Sequence, residues 1–461
     1  MASAGDAFIA QALAHYSRLC LLPMANWVLT QVPPRISIPE AERLDDAIFA
    51  SVLRMSGAAT AYAAASGPMQ ARARAIFSLP PSLGGLGFTS TASLANSAYI
   101  GSWARELSLV VGAGTGLGIP KPVPGAPPPA FLDEYVKALN DVRVLLPASV
   151  TEGLNPSDIW DAPKYDVQKG ISEAFHNLHY NNLKLSAGGG DASLSGRLAL
   201  NAIIGGKCDE GGGWVTANPR NALCRMSDAV FQHAVIARLL LPQLPTGACA
   251  HCAGHVDALG GHALVCKGTQ GSRTKGHTIV NVAVQAIARE GDNIVYNEPW
   301  CRDYWERKEG EEGAAAAGTL KKRADAGIKS KTALAGPVRL VDVTITATTK
   351  TAVPTVAYLR AGDAAALAET NKVSEYDPWV IPAGSFTPFA IESTGALGNA
   401  AKKFLHSIAA SSGPPKYASL RYRRYCEIVS VALQSMLAPQ TFKQRAVGVL
   451  PAPAPPAAGA G

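Results

Sequence analysis

The chain has 461 residues, enough for about two to four domains with ordinary cores. Its 48% apolar and 17% charged residues exclude an extensively disordered protein, and a formal charge of +7 at pH 7 favours an anionic partner without demanding one. No run of about eighteen uncharged apolar residues is present, and the opening MASAGDAFIAQALAHYSRLC lacks the basic-then-apolar order of a signal peptide, so the expectation is a soluble, intracellular chain with no membrane partner.

Apolar residues recur at helical spacing through FIAQALAHYSRLCLLPMANWVL and DDAIFASVLRMSGAATAYAAA, so residues 1–111 read as a helical region punctuated by PPRISIP and LPPSLGGLGF. The Pro and Gly cluster at 112–129 cannot continue a helix and reads as a linker. Residues 130–245 again read as helical, interrupted by SAGGGDASLSG and GGKCDEGGGW. A compact Cys/His segment spans 246–270. From 271 to 440 the pattern becomes mixed: a helix near Lys275–Arg289, β-prone runs at NIVYNEP, RADAGI and VRLVDVTIT, a helix over AGDAAALAETNKVSEY, a strand at FTPFAIES and a helix over NAAKKFLHSIAA. Residues 441–461, ending in PAPAPPAAGAG, read as a disordered tail.

The eight cysteines are scattered except for Cys249, Cys252 and Cys266, which suits a reducing compartment and a metal site better than a disulfide framework. Cys249-x2-Cys252-x9-His262-x3-Cys266 supplies three thiolates and an imidazole, a set that closes a tetrahedral shell around Zn²⁺. His255 is the alternative histidine. With four protein ligands the zinc would be structural, its binding energy becoming folding energy for a segment with little core of its own. Buried free thiols are the competing reading.

A second constellation lies downstream. Metal-dependent phosphodiester cleavage needs carboxylates converging on Mg²⁺ or Mn²⁺, and a basic residue to orient water or offset developing charge. Asp325 and Asp342 sit on two β-prone runs separated by the turn-like KSKTALAGP, as in a hairpin. Asp342 interrupts an apolar strand, where an unpaired carboxylate is costly. Lys372 and Tyr376 are four apart on the following helix and share a face. Glu298 is a candidate auxiliary ligand and Glu392 a weaker one. Arg273, His277, Lys321, Lys322 and Arg323 are candidates for holding phosphate near these acids. In KYASLRYRRYCEIV, Lys416, Arg421, Arg423 and Arg424 alternate with Tyr417, Tyr422 and Tyr425, which fits either a nucleic-acid platform or a helix whose tyrosines pack inward.

The order CxxC…DxxGxHxxxC, RxxxH, E-P, R-x-D, VDVTIT, K-x3-Y and PFAIESTG resembles the C-terminal region of non-LTR retrotransposon polyproteins that carry a restriction-like endonuclease. Upstream, LPPSLGGLGFTSTASLANSAYIGSWA and GGGWVTANPRNALCRMSDAVFQHAVIARLLL resemble the helical region after the polymerase palm of those elements. The resemblance implies an α+β multidomain chain: a helical N-terminal half, a small CCHC zinc knuckle and a C-terminal α/β PD-(D/E)xK nuclease core. It implies DNA as partner, with element RNA as a second candidate, a nuclear location, and packing against a reverse transcriptase domain that this sequence does not contain. Ala324 stands where the family has proline before the first Asp, and Thr344 stands at the usual lysine position, so the resemblance assigns that role to Lys372. The YxDD carboxylates of a polymerase are absent, the one adjacent pair, Asp45-Asp46, lying in a helical pattern; no polymerase activity is expected. The rival expectations are a catalytically silent nucleic-acid-binding remnant and a zinc-stabilised interaction module.

Overall fold

The structure, a computed structural model, describes residues 9–112, 121–122, 127–188, 194–252, 254–266, 268, 270–307, 322–331, 337–348, 360–376, 379–382, 384–447 and 449–450. It is mostly helical with a small mixed sheet. Much of the 112–129 linker and the end of the tail from 451 lie outside the described residues.

In the N-terminal half, helix Pro34–Met55 begins with Pro34 in its first turn, where a missing N–H costs nothing. Asp45 on that helix caps the start of helix Thr91–Gly112: its carboxylate accepts from Thr91 N–H at 2.9 Å and Ala92 N–H at 3.2 Å. Asp46 pairs with Arg74. The adjacent acids therefore hold helices together. Helix Thr91–Gly112 also contributes to a separate apolar core with helices Asp133–Leu145 and Val167–Gly188, centred on Ile100, Tyr135, Leu139 and Ile159. No helix among the described residues is long and apolar enough to cross a membrane.

Nine strands follow among the described residues. Strands β1 (Gly247–Cys249) and β2 (His255–Val256) form a small antiparallel pair. The main sheet contains β3 (Asn293–Asn297), β5 (Ala326–Ser330), β6 (Arg339–Thr346) and β8 (Phe386–Glu392) in the order β3-β5-β6-β8. The first three are antiparallel neighbours, whereas β6 and β8 are parallel, so they need a crossover, which helix Asp363–Glu375 supplies. β4 (Glu306–Arg307) pairs with β7 (Trp379–Val380) beside this sheet. Alternation along β6 gives its faces different jobs. Val341 and Val343 join the main core with helices Gln270–Glu290 and Asn399–Ser411; Leu340 packs with Tyr376 and Trp379 on the other face, the one that carries Asp342.

Helix Ala418–Val447 ties the chain together. It packs on helices Gln270–Glu290, Asn399–Ser411 and Asp228–Arg238, burying Ile428, Val429, Val431, Leu433 and Met436 in the core shared by both halves. At about 1.5–3 kcal/mol per buried side chain, these five contribute on the order of 10 kcal/mol against an extended chain. The helix corrects the expected start of the tail at 441: Thr441 and Gln444 are buried in it, and β9 (Val449–Leu450) then pairs with β1. Helical periodicity continues across Pro439, which lies inside the helix, and the polar residues beyond it face a partner that sequence distance conceals.

One buried histidine makes the junction sensitive to acid. His233 hydrogen bonds Thr441 Oγ1 at 3.0 Å, and burial, aided by Arg445, holds its imidazole down at about 4. Below its ordinary value near 6.5 the unfolded chain takes up a proton that the folded chain refuses, so stability is full above pH 6.5 and is lost as pH falls toward 4. Urea unfolding is expected to show a loss on the order of 2 kcal/mol between pH 7.5 and 5 that a His233→Gln chain lacks.

Candidate functional site

Two clusters of chemistry-bearing side chains stand out, and β1 begins the first. It ends at Cys249, a tight turn carries Cys252, β2 returns the chain, and a single 3-10 turn from His262 to Leu264 delivers His262 and Cys266. Cys249 Sγ and Cys252 Sγ each lie 3.7 Å from Cys266 Sγ, and Cys252 Sγ lies 3.4 Å from His262 Nε2. Tetrahedral bonds of zinc length put sulfur atoms roughly 3.8 Å apart and sulfur and nitrogen roughly 3.6 Å apart. All four ligand atoms fall within 4.8 Å of one another, so the cluster could hold a metal such as zinc. His255 lies exposed on β2, outside it.

The surroundings orient these ligands. Asp257, buried at 3% exposure, accepts from Gly261 N–H at 3.0 Å and His262 N–H at 2.7 Å, fixing the loop that carries the imidazole. Gly254 must be small: a Cβ there would meet His262 Cε1 at 2.8 Å. Gln444 donates to Cys249 Sγ at 3.3 Å from the far helix. Burial alone would raise the Cys249 thiol, but the donors Gln444, His251 N–H and Cys252 N–H outweigh it and favour the thiolate.

The second cluster lies where β5 and β6 meet helix Asp363–Glu375. Asp325 precedes β5, and its Oδ2 accepts from Val343 N–H of β6 at 2.7 Å. Asp342 points from β6 toward the crossover helix, where its Oδ2 accepts from Tyr376 Oη at 2.8 Å and lies 3.1 Å from Lys372 Nζ. Lys372 also reaches Glu375 Oε2 at 3.0 Å. Burial pushes the Asp325 carboxyl up to about 7; His277 opposes the rise and the neighbouring Asp342 adds to it. Burial opposes the charge on Lys372 as well, yet Asp342 and Glu375 together hold its ammonium above its ordinary value. Tyr376 is fully buried, and burial with the adjacent Asp342 keeps its hydroxyl protonated and donating to that carboxylate. The arrangement pairs two desolvated carboxylates with one fixed ammonium, so it can share a hard cation or a proton.

The other candidates are distributed around this centre. Glu298 follows β3 in a left-handed backbone conformation, φ 44°, and its exposed side chain turns to Arg323 at 3.5 Å instead of toward the two aspartates. Arg323 lies over the Trp300 ring at 3.9 Å, and Lys322 bonds Glu375 at 2.9 Å with its ammonium over Tyr376. Lys321 and the side chain of Arg273 lie outside what is described. Glu392 is nearly inaccessible and caps helix Asp363–Glu375 by accepting from Gly362 and Ala364 N–H at 2.9 and 3.0 Å.

His277 takes a different place from the phosphate contact expected of it. Its Nε2 donates to the Val343 carbonyl at 2.7 Å and lies 3.6 Å from Asp325 Oδ2. One and two turns on, the buried Asn281 and Gln285 both donate to the Asp325 carbonyl, at 3.3 and 3.2 Å. These two were missed in the sequence. The spacing His277, Asn281, Gln285 is a helical stripe, but a polar stripe reads as a solvent face unless something buried is known to need it.

In helix Ala418–Val447 the tyrosines pack inward. Tyr425 is fully buried with its hydroxyl on Ser412, and Tyr422 stacks on His406 with ring centroids 3.6 Å apart. Arg421 donates to the Ala409, Gly413 and Pro414 carbonyls at the end of the preceding helix, and Arg424 pairs with Glu290 at 2.7 Å. Arg423, 3.6 Å from Glu427, and Arg424 are exposed, as are Lys416 and Tyr417 just before the helix. No protein-family model matches this chain, and no curated protein matches it.

Proposed function

We propose that the chain is a metal-dependent DNA endonuclease of the PD-(D/E)xK type, a C-terminal portion of a non-LTR retrotransposon protein that nicks DNA in the nucleus. The observation that carries this reading is the convergence of Asp325 and Asp342 from adjacent strands with Lys372 Nζ 3.1 Å from Asp342. The element order helix, three antiparallel strands, helix and parallel strand, with sheet order β3-β5-β6-β8, supports it. So does the position of Lys372, which compensates for Thr344 on β6.

The donor chemistry fits Mg²⁺ or Mn²⁺, because Asp325 and Asp342 are oxygen ligands whose mutual repulsion in a buried setting a divalent cation relieves. When bound, such a cation supplies Lewis acidity and a more acidic water. The protein's own groups do the rest. Tyr376 and Lys372 hold the Asp342 carboxylate in one orientation. The Lys372 ammonium sits where charge on an adjacent phosphate would be offset, and His277, Asn281 and Gln285 pin the segment that carries Asp325. Lys322 and Arg323, next to Asp325 in sequence, are placed to approach the flanking phosphodiesters. In this reading the Cys/His cluster is a structural zinc knuckle beside the nuclease unit.

A second reading has a specific observation in its favour. Both Tyr376 and Lys372 occupy the same oxygen of Asp342, and Glu298 is turned away, so fewer ligand atoms point into the centre than a full metal site uses. That is the catalytically silent nucleic-acid binder. Incubating supercoiled plasmid with the full chain separates the two. The expected result is nicked circles with Mg²⁺ or Mn²⁺ and none with chelator, whereas salt-dependent DNA binding without nicking selects the silent binder.

A further inference from the structure

A partly buried arginine with no anion among the described residues stands at the junction of the helical half, the Cys/His segment and the sheet. Arg238, in the last turn of helix Asp228–Arg238, is partly buried, and its Nε and Nη2 are inaccessible and meet no hydrogen-bond partner among the described residues. It makes no ion pair there either. Guanidinium N–H groups held out of water without a partner are costly, and arginine does not shed its proton to escape that cost. The ionisable group nearest in effect is the Cys208 thiol, which burial pushes up to about 11; it is neutral at pH 7 and offers no counter-charge.

Arg238 lines a cavity of about 150 Å³, similar in size to one that admits benzene. Around the cavity stand the hydroxyl groups of Thr348, Ser393 and Thr394 and the amide of Gln434, with the backbone of Gly84, Gly260 and Gly261 between them. No aspartate or glutamate lines it among the described residues. The nearby Glu392 carboxylate is engaged by backbone N–H groups and the Thr394 hydroxyl. Guanidinium N–H groups without a partner, on a cavity that also carries hydroxyls, supply the recognition chemistry of a tetrahedral oxyanion.

We infer that this cavity is a binding site for a phosphate group, held by Arg238 and assisted by the hydroxyls of Thr348 and Ser393. The site is separate from the aspartate cluster and does not depend on cleavage. The phosphate comes either as a free ion or as the terminal monoester of a nucleic acid strand, and the chemistry is the same for both. Because three parts of the fold meet around it, an occupied site stabilises the whole junction.

The test uses the full chain with inorganic phosphate, by calorimetric titration and by thermal unfolding against chloride at equal ionic strength. The expected result is saturable binding and a rise in Tm of more than about 3 °C at saturation. Arg238→Met is expected to weaken binding at least tenfold. If that chain does not fold, Gln434→Glu provides an independent variant: the near-isosteric carboxylate supplies the counter-charge internally, so Tm rises without phosphate and the phosphate response disappears. Competition by a 5′-phosphorylated oligonucleotide, but not by its 5′-hydroxyl twin, identifies the strand end as the source; no difference between them identifies the free ion. Absence of saturable phosphate binding in the parent chain overturns the proposal, as does an equal response in parent and Gln434→Glu. Asp342→Ala is expected to leave the phosphate response unchanged, which keeps this result distinct from any outcome of the nicking assay.

Discussion

Replacing Asp342 with alanine is expected to slow metal-dependent nicking at least about a thousandfold, equivalent to roughly 4 kcal/mol of lost transition-state stabilisation. The substitution removes one of two carboxylates on the neighbouring strands β5 and β6, and it removes the anion that holds Lys372 at 3.1 Å and Tyr376 at 2.8 Å. Cation binding and lysine placement are therefore lost together. The chain should still fold, because Asp342 and Asp325 destabilise one another where they are buried and deleting one relieves that repulsion. DNA binding, set by basic residues elsewhere, should stay within about threefold of the parent with an unchanged salt slope. Nicking by the variant within tenfold of the parent would remove Asp342 from the reaction and with it the proposed centre.

The second large effect concerns the Cys/His cluster. Cys266→Ser is expected to abolish the binding of about one equivalent of zinc and to lower Tm by more than about 10 °C. The reason is the size of the local core. Among the described residues, Leu244, Val256 and Ala263 are its only buried apolar members besides Cys249 and Cys266 themselves, too few to fold the segment unaided. Losing the cluster would also release β1 from β9 and Gln444 from Cys249, so the end of helix Ala418–Val447 should fray. Amide exchange across residues 436–447 reads that fraying directly. A chelator-treated parent chain with the same Tm as the zinc-treated parent would identify the cysteines as ordinary buried thiols.

Local patterns were enough to read the four strands of the main sheet and the three helices between 270 and 411, because each has its own periodicity and its own turn residues, but not the two-residue strands β4 and β7, which are too short to carry a pattern. The same holds for the four Cys/His ligands, whose spacing is short. Lys372 and Tyr376 could be placed on one helix face by counting, and both do reach Asp342. What could not be read depends on long-range partners. Gln444 looks like a surface glutamine until Cys249 is set beside it. Arg421 looks like a phosphate contact until the carbonyls ending helix Asn399–Ser411 claim its donors. Glu298 looked like a ligand from its position after a strand, but its left-handed backbone sends the side chain outward. Arg238, at the end of an apolar helix, gave no hint of burial, because an arginine at a helix C-terminus is the ordinary partner of exposed carbonyls.

The pairing of β9 with β1 has a consequence for the moment of synthesis. Gln444 follows Cys249 by 195 positions, so the thiols emerge from the ribosome long before the donor and strand that complete their surroundings. At about 5–20 residues per second that interval lasts roughly 10–40 s. Throughout it the cysteines are accessible to oxidants and competing metals, and the edge of β1 is open to other strands. Early ion capture by the nascent segment would guard both, turning a late-closing contact into a safe one.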